Sequence, residues 1–380
     1  MKIKLSVLLA ALIACMQLHS QVSVTTQHND LTRSGWNNQE TVLTPANVNV
    51  RQFGKIFSVY IDDNIFTQPL ILSRVNIAAG VHNIGIVATV NNTVYAFDAD
   101  NGNVYWSKNY TPAGLRTVQS TDFLGTCNGA KNKDFAKNAG IVGTPVIDSL
   151  TNTLYFVARS TDAQSPGVGN FYTYLHAVDI TTGNDKQNSP VLITGSVPGS
   201  GSDAVNGLVP FNPQHQNQRL ALALYNGKVF IGFSSQCDWI PYHGWIFGYD
   251  AISLQQKYIY NTTPKAMGGG IWESGGGICI DNDGYLYVSA GNGFESAVGY
   301  NGNPSDLINR AQSAIKLKVN DTAIIPVDFF TPSNFQALNE GADLDFGPMG
   351  SFLIPNTKLY FTADKSGHLY LLNTDKSWRL

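Results

Sequence analysis

The sequence predicts an all-β fold, a propeller of about five or six blades built by a repeated strand–turn–strand unit. Three observations predict it. The composition is poor in charge and rich in glycine, alternating apolar segments recur between turn signals, and one turn carries a fixed spacing that returns along the chain. Of 380 residues 43% are hydrophobic and only 13% charged, with 36 glycines, a balance that suits short strands and tight turns better than solvent-facing helices. The net charge of -3, with no basic run, excludes nucleic acid as the main partner.

The first segment, "MKIKLSVLLAALIACMQLHSQVS", sets two lysines before an apolar run too short to cross a bilayer. That is the layout of a secretory signal, and it leaves no transmembrane segment. Residues 1–20 are read as that signal, with cleavage after Ser20 leaving Gln21 first and 21–380 as the mature propeller. Leu12-Ile13-Ala14-Cys15 also fits a lipoprotein box, in which Cys15 would be acylated. The expected location is therefore secreted, periplasmic or associated with an outer membrane. Cys127, Cys237 and Cys279 then remain. Cys279 reads as a buried strand residue, whereas Cys127 and Cys237 stand in loop-like sequence and are the better pair for a disulfide in an oxidising compartment.

A partial unit, "FGKIFSVYIDDNIFTQPLIL", precedes the first full one, whose turn "AFDADNGNVYW" spaces Ala96, Asp98, Gly102 and Trp106. Next, "TNTLYFVARS" leads to "HAVDITTGNDKQ", which keeps Ala177, Asp179 and Gly183 but has Gln187 where the tryptophan stood. "YNGKVFIGFSS" leads to "FGYDAISLQQ", keeping Asp250, and "DNDGYLYVSAGNG" leads to "QSAIKLKVN", keeping Ala314. "DKSGHLYLLNTDKSW" ends the series with Asn373 in the aspartate's place. No unit has enough apolar surface to stand alone, and stacking the small sheets about an axis buries both faces of each. In that arrangement Gly102 permits a tight turn, Asp98 accepts hydrogen bonds from turn N–H groups, and Trp106 offers its flat face to the next blade. The chain stops at "KSWRL", where an outer strand should begin. Either the strand expected at 53–60 completes that blade or the sequence is incomplete.

Ala-x-Asp-x-x-x-Gly-x-x-x-Trp resembles the tryptophan-docking repeat of propellers related to the eight-bladed pyrroloquinoline quinone (PQQ) dehydrogenases. "GIVGTPVID", "NTTPKAMGGGIWESGGG" and "DGYLYVSAGNGF" resemble a secreted, bacterial branch of that superfamily. The resemblance implies sites as well as a fold. "SAGNGF" resembles the strand end that supplies a calcium-binding amide, here Asn292, and "GADLDFG" the segment with the catalytic aspartate, best matched by Asp345 with Asp343 as the alternative. "DKSGHLYLLN" resembles a segment whose basic residue contacts the quinone, here Lys365. Trp272, with Glu273 between glycine triplets, forms either a close-packed axial turn or the lip of a cofactor pocket. The adjacent cysteine pair and the second calcium carboxylate of the dehydrogenases have no counterpart.

Asp238, Trp239, Tyr242, His243 and Trp245 crowd one connection, "QCDWIPYHGW". Rings beside polar groups suit a small polar ligand or carbohydrate, and His243 could instead lock the loop. The function expected from all this is an exported propeller that binds such a ligand, or another exported protein, without redox chemistry. The competing expectation is a PQQ- and calcium-dependent dehydrogenase of an alcohol or sugar.

Overall fold

Among the described residues five antiparallel sheets of three to five strands follow one another along the chain, beside two two-stranded ones, and each of the five packs on the next to form a propeller. The computed structural model describes residues 22–78, 80–123, 132–294, 306–339 and 343–378. The expected signal, Cys15 and Cys127 lie outside them. The first blade comprises Leu70–Ile77, Gly80–Ala88, Thr93–Asp98 and Val104–Asn109 in sequential order. In the second, Arg116–Thr117 and Val146–Asp148 both pair with Thr153–Thr161, followed by Phe171–Asp179 and Val191–Leu192. The third sets Gln216–Asn217 and Ala223–Tyr225 on Lys228–Ser235, then Trp245–Asp250 and Gln256–Asn261. The fourth is Cys279–Ile280, Tyr285–Ala290, Ser313–Val319 and Ile324–Phe330, and the fifth has three strands, Phe352–Leu353, Leu359–Ala363 and Leu369–Asn373.

Burial explains why the strands alternate so weakly in sequence. Thr153–Thr161 is buried at every position, because neighbouring blades cover both faces of its sheet. The apolar cores accordingly lie between blades. One cluster joins Ile84, Ile86 and Val94 of the first blade to Leu154 and Phe156 of the second. Others join the second to the third, the third to the fourth and the fourth to the fifth.

The repeated turn does what its spacing requires. Gly102 and Gly183 both have positive φ, +83° and +70°, and each N–H bonds back to the carbonyl of Asp98 or Asp179 at 2.8 Å. Leu254 takes the same place in the third blade at φ +55°, bonding to the Asp250 carbonyl at 2.9 Å. The Asp98 carboxylate accepts from the Asp100 N–H (2.9 Å) and the Tyr105 hydroxyl (2.6 Å). Trp106 is half-buried and docks on the second blade's turn, its Nε1 donating to the Ile180 carbonyl at 2.9 Å. Its ring lies where a Cβ on Gly183 would come within 2.7 Å.

The N-terminal segment departs from expectation. Residues 53–60 form no strand, and Phe57 packs on Phe97 of the first blade, so they do not complete the fifth. Instead residues 24–33 run along the inner strands of all five blades. Val24 bridges Ile71, the Thr25 carbonyl accepts from Ile147, that of Leu31 from Ile280 and that of Thr32 from Leu353, each at 2.8 Å. Arg33 donates to the Leu222 carbonyl beside the third blade's inner strand, at 3.2 Å. Among the described residues no helix is long and apolar enough to cross a membrane.

Candidate functional site

Three acidic residues, Asp238, Asp343 and Asp345, gather where the second strands of the third, fourth and fifth blades end. Strand Leu359–Ala363 delivers Lys365, whose ammonium pairs with Asp345 at 2.5 Å and Asp343 at 2.8 Å. Strand Tyr285–Ala290 delivers Asn292, whose N–H donates to Asp345 (2.9 Å) and whose side-chain amide donates to Asp343 (3.0 Å). Gln312 completes the bracket: its amide donates to Asn292 Oδ1 at 2.8 Å, while its own oxygen accepts from the Phe346 N–H at 2.7 Å. Past strand Lys228–Ser235 comes Asp238, which accepts from the Tyr242 hydroxyl at 2.5 Å.

Glycines allow these parts to close. A Cβ on Gly291 would fall 2.8 Å from Asp345 Oδ1 and 3.0 Å from the Trp272 ring, and one on Gly270 would fall 3.2 Å from both Trp272 and Tyr242. Trp272 and Tyr242 therefore form one aromatic wall beside Asp345. The Trp272 Nε1 is buried without a hydrogen-bond partner among the described residues. The site also holds backbone strain, since Cys237, Asp238, Glu273, Ser274, Gln312 and Asp343 all adopt φ between +42° and +51°, a region costly for residues with a Cβ.

Electrostatics separates the three carboxylates. Burial disfavours the charge on Asp343, but the hydrogen bond and charge of Lys365 outweigh it, and its pKa falls. For Asp345, only 3% exposed, burial wins over Lys365 and its pKa rises. Asp238 is pushed up to about 6 by burial and by the Asp345 charge, against the opposing hydrogen bond from Tyr242. One ammonium thus faces three carboxylates, and Asp238 lacks a cationic contact among the described residues.

The structure brings Asp238, Tyr242, Trp272, Asn292, Asp343, Asp345 and Lys365 together. Three other candidates lie apart. Trp239 stacks on His215 with ring centres 4.1 Å apart. His243 is buried between Thr263 Oγ1 (2.9 Å) and Asp203 (3.1 Å). Trp245 opens a strand and is fully buried in the core between the second and third blades. Gln312 escaped sequence reasoning because "NRAQSAIKL" carries no motif around it. Cys237 is disulfide-bonded, and Cys279 is a buried free thiol.

The donor set does not fit calcium with a quinone above it. The Asn292 amide oxygen already accepts from Gln312, and no group of three or more acidic, histidine or cysteine side chains among the described residues could hold a metal ion. A hard cation needs several oxygens converging on one point.

Fold comparison gives the class. A quinohemoprotein alcohol dehydrogenase from Pseudomonas putida HK5 superposes with a TM-score of 0.60 at 15% identity, over 92% of this chain and 46% of its own. The quinohemoprotein alcohol dehydrogenase from Comamonas testosteroni gives 0.59 at 15%, over 93% and 48%. A europium-containing methanol dehydrogenase gives 0.59 at 12%, over 96% and 58%. The chain thus shares the β-propeller fold of those enzymes, and it spans about half their length. No protein-family model matches it, and no curated sequence matches it significantly.

Proposed function

We propose that this chain is an exported propeller that binds a small polar ligand carrying an amine at the Asp238–Asp345 site, without redox chemistry. One observation carries the reading: beside an aromatic wall two carboxylates share a single ammonium and a third, Asp238, has no cationic contact among the described residues. Ring faces and carboxylates together favour a cation, through quadrupole attraction and charge-assisted hydrogen bonds. Export is supported by the N-terminal "MKIKLSVLLAALIAC" and by the disulfide at Cys237, which suits an oxidising compartment.

The second reading, a PQQ- and calcium-dependent dehydrogenase, is favoured by the convergence of Trp272, Asn292, Asp345 and Lys365, the residues matched by the resemblance. Calorimetric titration of the purified protein with ethanolamine and putrescine, with D-glucose as the uncharged comparison, tests the first. Saturable amine binding lost in Asp238→Asn and Asp345→Asn supports it. Glucose binding without amine binding overturns the amine specificity. Stoichiometric PQQ uptake with calcium, and dye reduction that vanishes in Asp345→Asn, would establish the dehydrogenase instead.

A further inference from the structure

A second cavity, of about 460 Å³, opens at the seam between the first and fifth blades, a volume that suits a small organic ligand. None of Asp238, Tyr242, Trp272, Asn292, Asp343, Asp345 and Lys365 lines it, and its charge is the opposite one. Arg33, only 2% exposed, lines it. The guanidinium donates to four neutral oxygens: Nε to the Ile278 carbonyl (3.2 Å), Nη1 to Thr26 Oγ1 (2.7 Å) and the Gln27 carbonyl (3.0 Å), and Nη2 to the Leu222 carbonyl (3.2 Å). A guanidinium has five N–H groups, so one on Nη2 is left over.

The buried cation also lacks a contact counter-ion among the described residues. Asp30 and Glu273 act on it only through space. Asp30 is engaged by the hydroxyls of Thr32 and Ser34, and burial lifts the Glu273 carboxyl to about 7, so it is only partly charged near neutrality. Buried charges are normally paired, because removing an ion from water costs several kcal/mol that neutral partners only partly return.

The rest of the cavity has two further characters. Gln27 is 5% exposed, and its Oε1 is buried with no hydrogen-bond partner among the described residues, so a residue lining the cavity carries an unused acceptor. Opposite stand Phe66 before the first blade and Met349, Phe352 and Phe361 of the fifth, with the rings of Phe352 and Phe361 4.8 Å apart between centres. A cation, an unused acceptor and an aromatic wall define an occupant with an anion, a donor and a flat apolar body.

We propose that the seam cavity binds a small aromatic carboxylate carrying a hydroxyl: the carboxylate on Arg33, the hydroxyl donating to Gln27 Oε1, the ring against Phe66 and Phe361. Such a ligand bridges the segment leading into the first blade and the fifth blade, so its binding draws the seam together and raises the melting temperature.

The probe is 4-hydroxybenzoate, followed by calorimetry and thermal unfolding of the intact protein at pH 7. Comparison ligands are 4-hydroxybenzyl alcohol, which lacks the charge, and acetate, which lacks the ring. Arg33 also holds the axis, so the variants are Phe361→Ala and Gln27→Leu, each checked for native circular dichroism. The expected result is saturable 4-hydroxybenzoate binding with a raised melting temperature. The alcohol and both variants should bind about tenfold more weakly or worse, as loss of a charge-assisted contact or a ring face implies. Asp238→Asn should bind 4-hydroxybenzoate normally, which separates this cavity from the amine site. No saturable binding, equal binding of the alcohol, or binding unchanged in both variants would overturn the proposal.

Discussion

Trp106 and Gly183 should be energetically coupled, because one ring fills the space that the other residue's missing side chain leaves. Truncating a fully buried tryptophan costs roughly 3–5 kcal/mol. Trp106 is half-buried, which reduces the apolar part to about 2 kcal/mol, and losing the bond to the Ile180 carbonyl adds about 1 kcal/mol. Trp106→Ala should therefore cost about 2–3 kcal/mol. Gly183→Ala suffers twice. A non-glycine residue at φ +70° costs roughly 1–2 kcal/mol, and a Cβ 2.7 Å from the indole overpacks the contact by roughly 1–3 kcal/mol. In the Trp106→Ala background only the backbone cost remains. The double variant should thus be more stable than the sum of the singles predicts, by about 1–3 kcal/mol. Urea unfolding followed by far-ultraviolet circular dichroism measures this without relying on the fluorophore being replaced. Additivity within about 0.5 kcal/mol would refute the docking argument.

The pKa of Asp238 makes stability pH-dependent with a definite sign. Because its folded value, about 6, lies above the unfolded one, the native state holds the proton more tightly. Stability is fully present below about pH 4 and is lost as pH rises through 6, by up to about 3 kcal/mol. Asp238→Asn should flatten that slope in urea titrations between pH 4 and 8, and an unchanged slope would contradict the assignment. Glu273→Gln should likewise gain stability relative to the native chain as pH rises from about 4.5 to 7 and level off above, since burial holds the native carboxyl at about 7; equal pH profiles would count against it. Burial also pushes the Cys279 thiol well up, so iodoacetamide at pH 8 should alkylate Cys279 only after unfolding, as peptide mass spectrometry can show.

The blades were legible because their requirement is local. Asp98, Gly102 and Trp106 serve a single turn and the neighbour it meets, so their spacing survives in the linear chain. Gln187 and Asn373 mark where the pattern fades, and there burial of whole strands, as in Thr153–Thr161, takes over from any visible motif. The acidic site was half legible. Asn292 and Lys365 stand in strand-end segments, and Asp345 in a loop, with a recognisable resemblance, but the bracket formed by Gln312 and the approach of Asp238 depend on three blades meeting. His243 and Trp245 looked like loop residues because polar and aromatic neighbours surround them. In the fold their tips turn inward, His243 to Thr263 and Asp203. Least legible was the segment at 24–33: "VTTQHNDLTR" has no apolar period, since it is held by backbone bonds and one guanidinium.

That thread has a consequence for the order in which the molecule assembles. Residues 24–33 leave the ribosome before any blade, yet one of their partners, Leu353, is made only with the fifth blade, and the bond from Arg33 to Ile278 spans 245 positions. The thread must wait, unpaired, while each sheet forms and stacks in turn. Closing so long a loop incurs its entropic cost before any contact offsets it, which makes docking of the thread a late and slow event. Until it docks, the inner edges of five sheets stand open to other strands, the kind of exposure through which nascent chains aggregate. The seat of Arg33 is therefore also a clock: it can fill only once Ile278, at the edge of the fourth blade, has arrived.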